Sequence, residues 1–187
     1  MSLRWWPAPE AGDIVWCHFP QDRGIEPGPK PRPALVVKVF DDDAPRYAVL
    51  VAYGTSQKID RLLAGEFLIA PLDRAAYKLA GLSYPTKFSF KQTIELPYNE
   101  EWFKVPPAAP HGQTPKLGVL HPSLMKRAGA AWAPARCRDL AESGTIRYHP
   151  LRARATSANS SPRTGWISPI CSCPAAQPCG SRATALH

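Results

Sequence analysis

Three apolar runs are separated by two very different connections in G-D-I-V-W-C-H-F (12–19), P-Q-D-R-G-I-E-P-G-P-K-P (20–31), R-P-A-L-V-V-K-V-F (32–40) and, after an acidic turn, Y-A-V-L-V-A-Y-G-T-S-Q (47–57). In an extended first run, Asp13 to Phe19, the side chains of Ile14, Trp16 and His18 point one way and Val15, Cys17 and Phe19 the other. A run apolar on nearly both faces predicts an inner strand of a small barrel. Pro20 to Pro31 holds four prolines, two glycines and four charges, which rules out regular structure. A loop of that length between two strong strands is expected to be functional or disordered. Pro33 to Phe40 is the second strand, its opening proline tolerated at a position that need not donate to the ladder. Asp41 to Pro45 reads as a solvated hairpin end, and Arg46 to Tyr53, rich in Val, Leu and Tyr, as the third strand. Arg32 and Thr55 then stand at strand ends on one rim of one sheet. A guanidinium and a hydroxyl on a shared rim suit a phosphodiester.

Outward from this stretch, residues 1–11, with Trp5 and Trp6 beside Pro7 and Pro9, read as an arm lying on the domain. Glu66 to Ala70 is a fourth strand. Asp73 is expected as the N-cap of a short helix, A-A-Y-K-L-A, that ends at Gly81. Thr86 to Phe90 and Gln92 to Leu96 make one or two further strands closed by Pro97, and Tyr98 to Lys104 adds an aromatic element. Pro106, Pro107 and Pro110 read as a linker. His121 to Ala133 is a closing helix with Pro122 in its first turn and Leu124, Ala128, Ala131 and Trp132 along one face. The expected fold is mainly β with α additions: a small barrel with a short internal helix and a C-terminal helix. The barrel domain is assigned to residues 1–135. Residues 136–187, rich in Arg, Ser, Pro and Ala and without periodicity, are expected to be a disordered tail.

The totals exclude several classes. A chain of 187 residues allows one domain comfortably, and no apolar run approaches the 18 or so residues of a membrane span. The N-terminus lacks the apolar region of a secretory signal, so a cytoplasmic location is expected. The net charge of +8 divides unevenly. Residues 1–135 hold 16 Lys+Arg against 13 Asp+Glu, and the remainder 7 Arg against 2 acids. Global charge is therefore a weak argument for nucleic acid, and any such argument must come from a site. Of five cysteines, Cys17 reads as a packing residue, and the other four lie in the tail without metal-site spacing. No metal and no cofactor are expected.

G-D-I-V-W, R-G-I-E-P-G-P-K-P-R-P-A-L-V-V and V-A-Y-G-T-S-Q-K, in this order and at these separations, resemble the MazF/PemK family of type II toxin-antitoxin endoribonucleases, also called mRNA interferases. T-K-F-S-F-K-Q-T-I-E-L-P is similar to the family's late strand pair, and G-V-L-H-P-S-L-M-K-R to its last strand and helix. The resemblance implies an SH3-like barrel of the MazF/CcdB type, a homodimer, that cuts single-stranded RNA without metal and is neutralised by a cognate antitoxin protein. It puts the catalytic arginine on Arg32, the catalytic threonine on Thr55 and an acidic active-site residue on Glu26. Lys30, Ser56, Gln57 and Lys58 are candidate RNA contacts. Two features depart from the family pattern: the extra prolines before Arg32, and an insertion around Gly81 to Lys91 together with Trp102 and Phe103.

The residue types fit that chemistry. Attack by the RNA's own 2′-hydroxyl needs a proton acceptor, a stabilised phosphorane and a protonated leaving oxygen. Arg32 can clamp two phosphate oxygens and neutralise the charge that grows on them. Thr55 and the backbone N–H groups around Gly54 and Ser56 can donate to a non-bridging oxygen. Arginine is a poor base, because its pKa exceeds about 12, so Glu26 or His18 would take the proton. The rival reading is a non-catalytic module on the same barrel, a CcdB-like inhibitor of a protein target or a binder of RNA or antitoxin. The Arg32–Thr55 pair, which a pure protein binder would not need, separates the two.

Overall fold

The computed structural model describes residues 3–20 and 26–139, with side chains through Ala135. Six strands run β1 (Asp13–Cys17), β2 (Arg32–Phe40), β3 (Ala48–Thr55), β4 (Glu66–Ile69), β5 (Thr86–Pro97) and β6 (Lys116–Val119). A short helix α1 (Ala75–Leu79) lies between β4 and β5, and α2 (Met125–Asp139) follows β6. The strands form one antiparallel sheet in the order β4-β5-β3-β2-β1-β6. The fold is thus mainly β with α additions, a curled half-barrel whose edge strands β4 and β6 are not paired with each other.

The curl has local causes. Between β2 and β3 the register slips at Val36/Lys38, leaving Val37 as an extra residue. Between β3 and β5 it slips again, Ala52 pairing with Thr93 but Tyr53 with Ser89. Each bulge bends the strand that carries it and strengthens the local twist. β5 is therefore a single strand with a kink at Phe90–Gln92, its first half shared between β3 and β4 and its second half paired with β3 alone.

Both faces of the sheet are buried, as the two-sided apolar pattern of β1 requires. Ile14, Leu35, Ala52, Phe67 and Phe88 pack on one face beneath Ala76 of α1, Ala80 just after it, Leu124 just before α2 and Ala128 and Ala131 of α2. Val15, Cys17, Ala34, Val36 and Val51 pack on the other beneath Trp6, Tyr98, Trp102 and Phe103. The N-terminal arm is held there by the Trp5–Asn99 bridge and by the Trp6 indole N–H, which donates to the Phe103 carbonyl. Burial pushes the Cys17 thiol up, so this cysteine is packing and not nucleophile.

Two details differ from the sequence expectation. Asp73 does not cap α1: it ends a 3-10 turn, Pro71–Asp73, and Arg74, at φ 41°, is the N-cap residue. The Asp73 carboxylate instead accepts from the Ala70 N–H and from Arg127 on α2, because the turn aims it back toward β4. Arg127 also donates to the Leu68 carbonyl, covering part of the exposed edge of β4. Helix α2 runs through Asp139, past residue 136. The expected tail from 140 onward lies outside the described residues, as do residues 21–25 of the first long loop. Among the described residues no helix is long and apolar enough to cross a membrane.

Candidate active site at the sheet rim

Arg32 opens β2 and Thr55 closes β3. The β2–β3 pairing ends with Ala34 opposite Tyr53, two residues short of Arg32 on one strand and of Thr55 on the other, and both residues line the same groove. Gly54 permits this closeness. A Cβ there would lie 2.3 Å from the Pro33 carbonyl oxygen and 2.9 Å from the Phe88 ring. Any side chain at 54 would therefore push β2 away from β3 at the rim, where β2 begins and β3 ends.

The Arg32 guanidinium lies 6.0 Å from the centre of the Tyr53 ring, within cation–π range. The ion pairs among the described residues are Lys87–Glu66, Lys116–Asp13 and Arg127–Asp73, so Arg32 is not committed to a carboxylate. Thr55 Oγ1 accepts the Gln57 N–H at 3.1 Å. With that lone pair engaged, the hydroxyl proton is left to be donated elsewhere.

On the other side of the rim, Trp16, Pro33 and Gly54 form the floor of a groove of about 450 Å³, which Arg32, Thr55 and Ser56 also border. One wall is the turn from α1 to β5, with Leu82 and Tyr84, and the other includes Pro106, Pro107 and Pro110. Those prolines, expected to be a linker, therefore help to shape the site. Sequence reading missed this wall and Tyr84; the aromatic in S-Y-P-T, inside a segment that departs from the family pattern, was the available signal.

The remaining candidates are more scattered. Glu26 and Lys30 are exposed on the long loop, and Gln57 and Lys58 are exposed beyond β3; none of the four borders the groove. The loop's second half is tied to β1, since the Gly28 N–H donates to the His18 carbonyl at 3.0 Å. His18 Nδ1 returns a hydrogen bond to the Gly28 carbonyl at 2.5 Å. Because its partner is a carbonyl, Nδ1 carries the proton, leaving Nε2 of the neutral ring as an acceptor. Among the described residues no group of three or more His, Cys, Asp or Glu is placed to hold a metal ion.

The register also exposes a pair that sequence reading did not single out. Lys87 lies directly across β3–β5 from Thr55. Its ammonium bonds Glu66 at 3.0 Å and the Arg61 carbonyl at 3.3 Å, pinning the 56–65 loop beside the rim. Burial alone would raise the Glu66 carboxyl, but the Leu63 N–H and then Lys87, with Lys91 adding its charge, outweigh it and hold the group below its ordinary value of 4.5. A depressed carboxylate stabilises the fold fully above about pH 4.5, and that contribution is lost as pH falls through the folded value. Glu66→Gln should therefore cost about 1–3 kcal/mol at neutral pH. The gap to the unsubstituted protein should narrow as pH falls from about 4.5 through the lowered folded value, which urea unfolding at pH 7 and pH 3 would measure. A gap that stays constant across that range would deny the pair its role.

A rim of this kind on a curled six-stranded sheet defines a small β fold with an electropositive strand end. The match to known sequences is more specific. Residues 10–99 match the family model of PemK-like, MazF-like toxins of type II toxin-antitoxin systems. No curated protein matches the chain. Among solved structures, the chain is similar to an endoribonuclease in complex with its cognate antitoxin from a mycobacterial species, at 18% identity and TM-score 0.45, covering 70% of this chain and 96% of that one. It is also similar to the Mycobacterium tuberculosis toxin MazF-mt6, at 20% identity and TM-score 0.44, covering 67% of this chain and 96% of that one.

Proposed function

We propose that this protein is a toxin endoribonuclease that cleaves single-stranded RNA by attack of the RNA's own 2′-hydroxyl, without a metal. The observation that carries the reading is Arg32, in no ion pair among the described residues and lining the same groove as Thr55 at the rim of the sheet. In this mechanism the 2′-oxygen attacks phosphorus and the bond to O5′ breaks, leaving a 2′,3′-cyclic phosphate and a 5′-hydroxyl. Arg32 holds two phosphate oxygens and offsets the charge that builds on the phosphorane. Thr55 donates its hydroxyl proton to a non-bridging oxygen. The proton from the 2′-hydroxyl goes to Glu26 or His18, and the leaving O5′ takes up a proton from water. Lys30, Ser56, Gln57 and Lys58 contact the RNA backbone on either side.

A cognate antitoxin would neutralise the enzyme by covering the same rim, and a homodimer is the expected form, since β4 and β6 leave sheet edges available. The test is incubation of the purified protein with a long single-stranded RNA in excess EDTA. Discrete fragments ending in 2′,3′-cyclic phosphate are expected. Intact RNA in the presence of folded protein would reject the enzyme in favour of a binding module on the same fold.

A further inference from the structure

We infer that the groove beside Arg32 and Thr55 is a pocket for one unpaired nucleobase, clamped by Tyr84, and that it sets the base preference of this protein. The inference rests on the reading of the rim as an RNA site and adds to it a subsite and a residue.

The groove is a firmly built feature. Its Tyr84 wall belongs to the turn between α1 and β5, and that turn is locked onto β6 by two facing glycines. A Cβ on Gly81, at φ +64°, would fall 2.0 Å from the Leu117 carbonyl oxygen, and one on Gly118 would fall 2.2 Å from that of Leu79. Backbone therefore lies on backbone, with no side chain between. At its far end, the buried Thr86 hydroxyl donates to the Tyr84 carbonyl at 2.8 Å. The wall is fixed at both ends, while Tyr84 is 70% exposed. A large aromatic held out on a rigid turn gains nothing for the core. It presents a flat face at little further entropic cost.

The chemistry of the walls selects the occupant. Trp16, Tyr84 and prolines supply flat apolar surface, and a volume of about 450 Å³ is ample for a base with part of its sugar. Arg32 is the one charged side chain among the residues that line the groove. A ligand with one anionic group for Arg32 and a flat, uncharged ring for the apolar walls matches that lining, and a nucleotide of a single strand is such a ligand. Stacking of unpaired bases on aromatic side chains is how single-stranded RNA is commonly held. Trp16 and Pro33, paired across β1–β2, set the floor one residue from the Arg32 position. A base seated there lies next to the phosphodiester held at the rim.

The test measures binding and cleavage separately. Wild type, Tyr84→Ala, Tyr84→Phe and Arg32→Ala are each titrated with 2′-O-methyl oligomers of A, C, G and U, which cannot be cleaved by 2′-hydroxyl attack. The wild type should prefer one base. Tyr84→Ala should bind that oligomer roughly 5- to 150-fold more weakly, reducing or erasing the preference, while Tyr84→Phe keeps it. Arg32→Ala should weaken all four oligomers alike. Equal binding of the four by wild type, or an unchanged preference in Tyr84→Ala, would overturn the pocket and leave the groove to a peptide such as an antitoxin segment. Cleavage of unmodified RNA is scored in parallel. Its absence alongside a Tyr84-dependent base preference would reject the enzyme but keep the pocket. Cleavage with no Tyr84 dependence in the positions of the cuts would do the reverse.

Discussion

Arg32→Ala should lower the rate of RNA cleavage by about 10²–10³-fold, the usual cost of removing one preorganised donor from a transition state. Folding stability should move by no more than about 0.5 kcal/mol, because the side chain is half-buried at a strand end and takes part in no ion pair among the described residues. The two readouts together separate a catalytic role from a structural one. Arg32→Lys is informative beside it. Lysine keeps the charge but loses the planar fork that meets two phosphate oxygens at once, so it should recover only part of the rate. Single-turnover cleavage and a thermal melt for each variant make the comparison. A full rate with alanine at 32 would remove this residue from the mechanism.

The largest effect on stability is expected at Phe67. It is 1% exposed and stacks against Phe88 and Phe90, with ring centres 5.6 and 5.5 Å away. Phe90 in turn meets the Trp132 edge on α2 at 5.1 Å. This aromatic column joins β4 to the kinked strand β5 and β5 to the closing helix. Phe67→Ala removes its middle and leaves a cavity that rigid strands on both sides cannot close, so the loss should be about 3–5 kcal/mol. The site should suffer with it, since Phe88 is the partner of Gly54, next to Thr55. Urea unfolding should show a lower midpoint with an unchanged slope. A loss under about 1 kcal/mol would mean that the column is not the joint between sheet and helix.

Much of this architecture was legible before any coordinates. The strands β1 to β3, the split of Ile14 from Val15 and Cys17 across the sheet, and the buried stripe of α2 all follow from patterns with a period of 2 or 3.6 residues. Such patterns are local, and a short window contains them whole. The position of Arg32 and Thr55 at strand ends was legible for the same reason. The groove was not. Its floor comes from β1 to β3, one wall from residues after α1 and the other from Pro106 to Pro110, and only the register brings these together. Prolines that shape a wall and prolines that link two elements look alike in a sequence. The Lys87–Glu66 pair was hidden for a related reason: residues 21 positions apart meet only because β4 and β5 pair in one register. Asp73 was misread because a carboxylate before a helix has two uses, and the choice between them depended on Arg127, far along the chain.

The pairing of β1 with β6 joins Asp13 to Val119, and an ion pair between Asp13 and Lys116 at 2.7 Å reinforces it. Synthesis runs from the N-terminus, so on the ribosome β1 and the rim residues emerge long before their outer neighbour. Until Lys116 to Val119 leaves the exit tunnel, β1 has an open edge, Gly81 has no backbone to rest against and the groove lacks Leu117 from its lining. The order of the strands thus acts as a clock. A nascent chain carries the rim early, but the groove beside it becomes complete only when nearly the whole folded unit has been made.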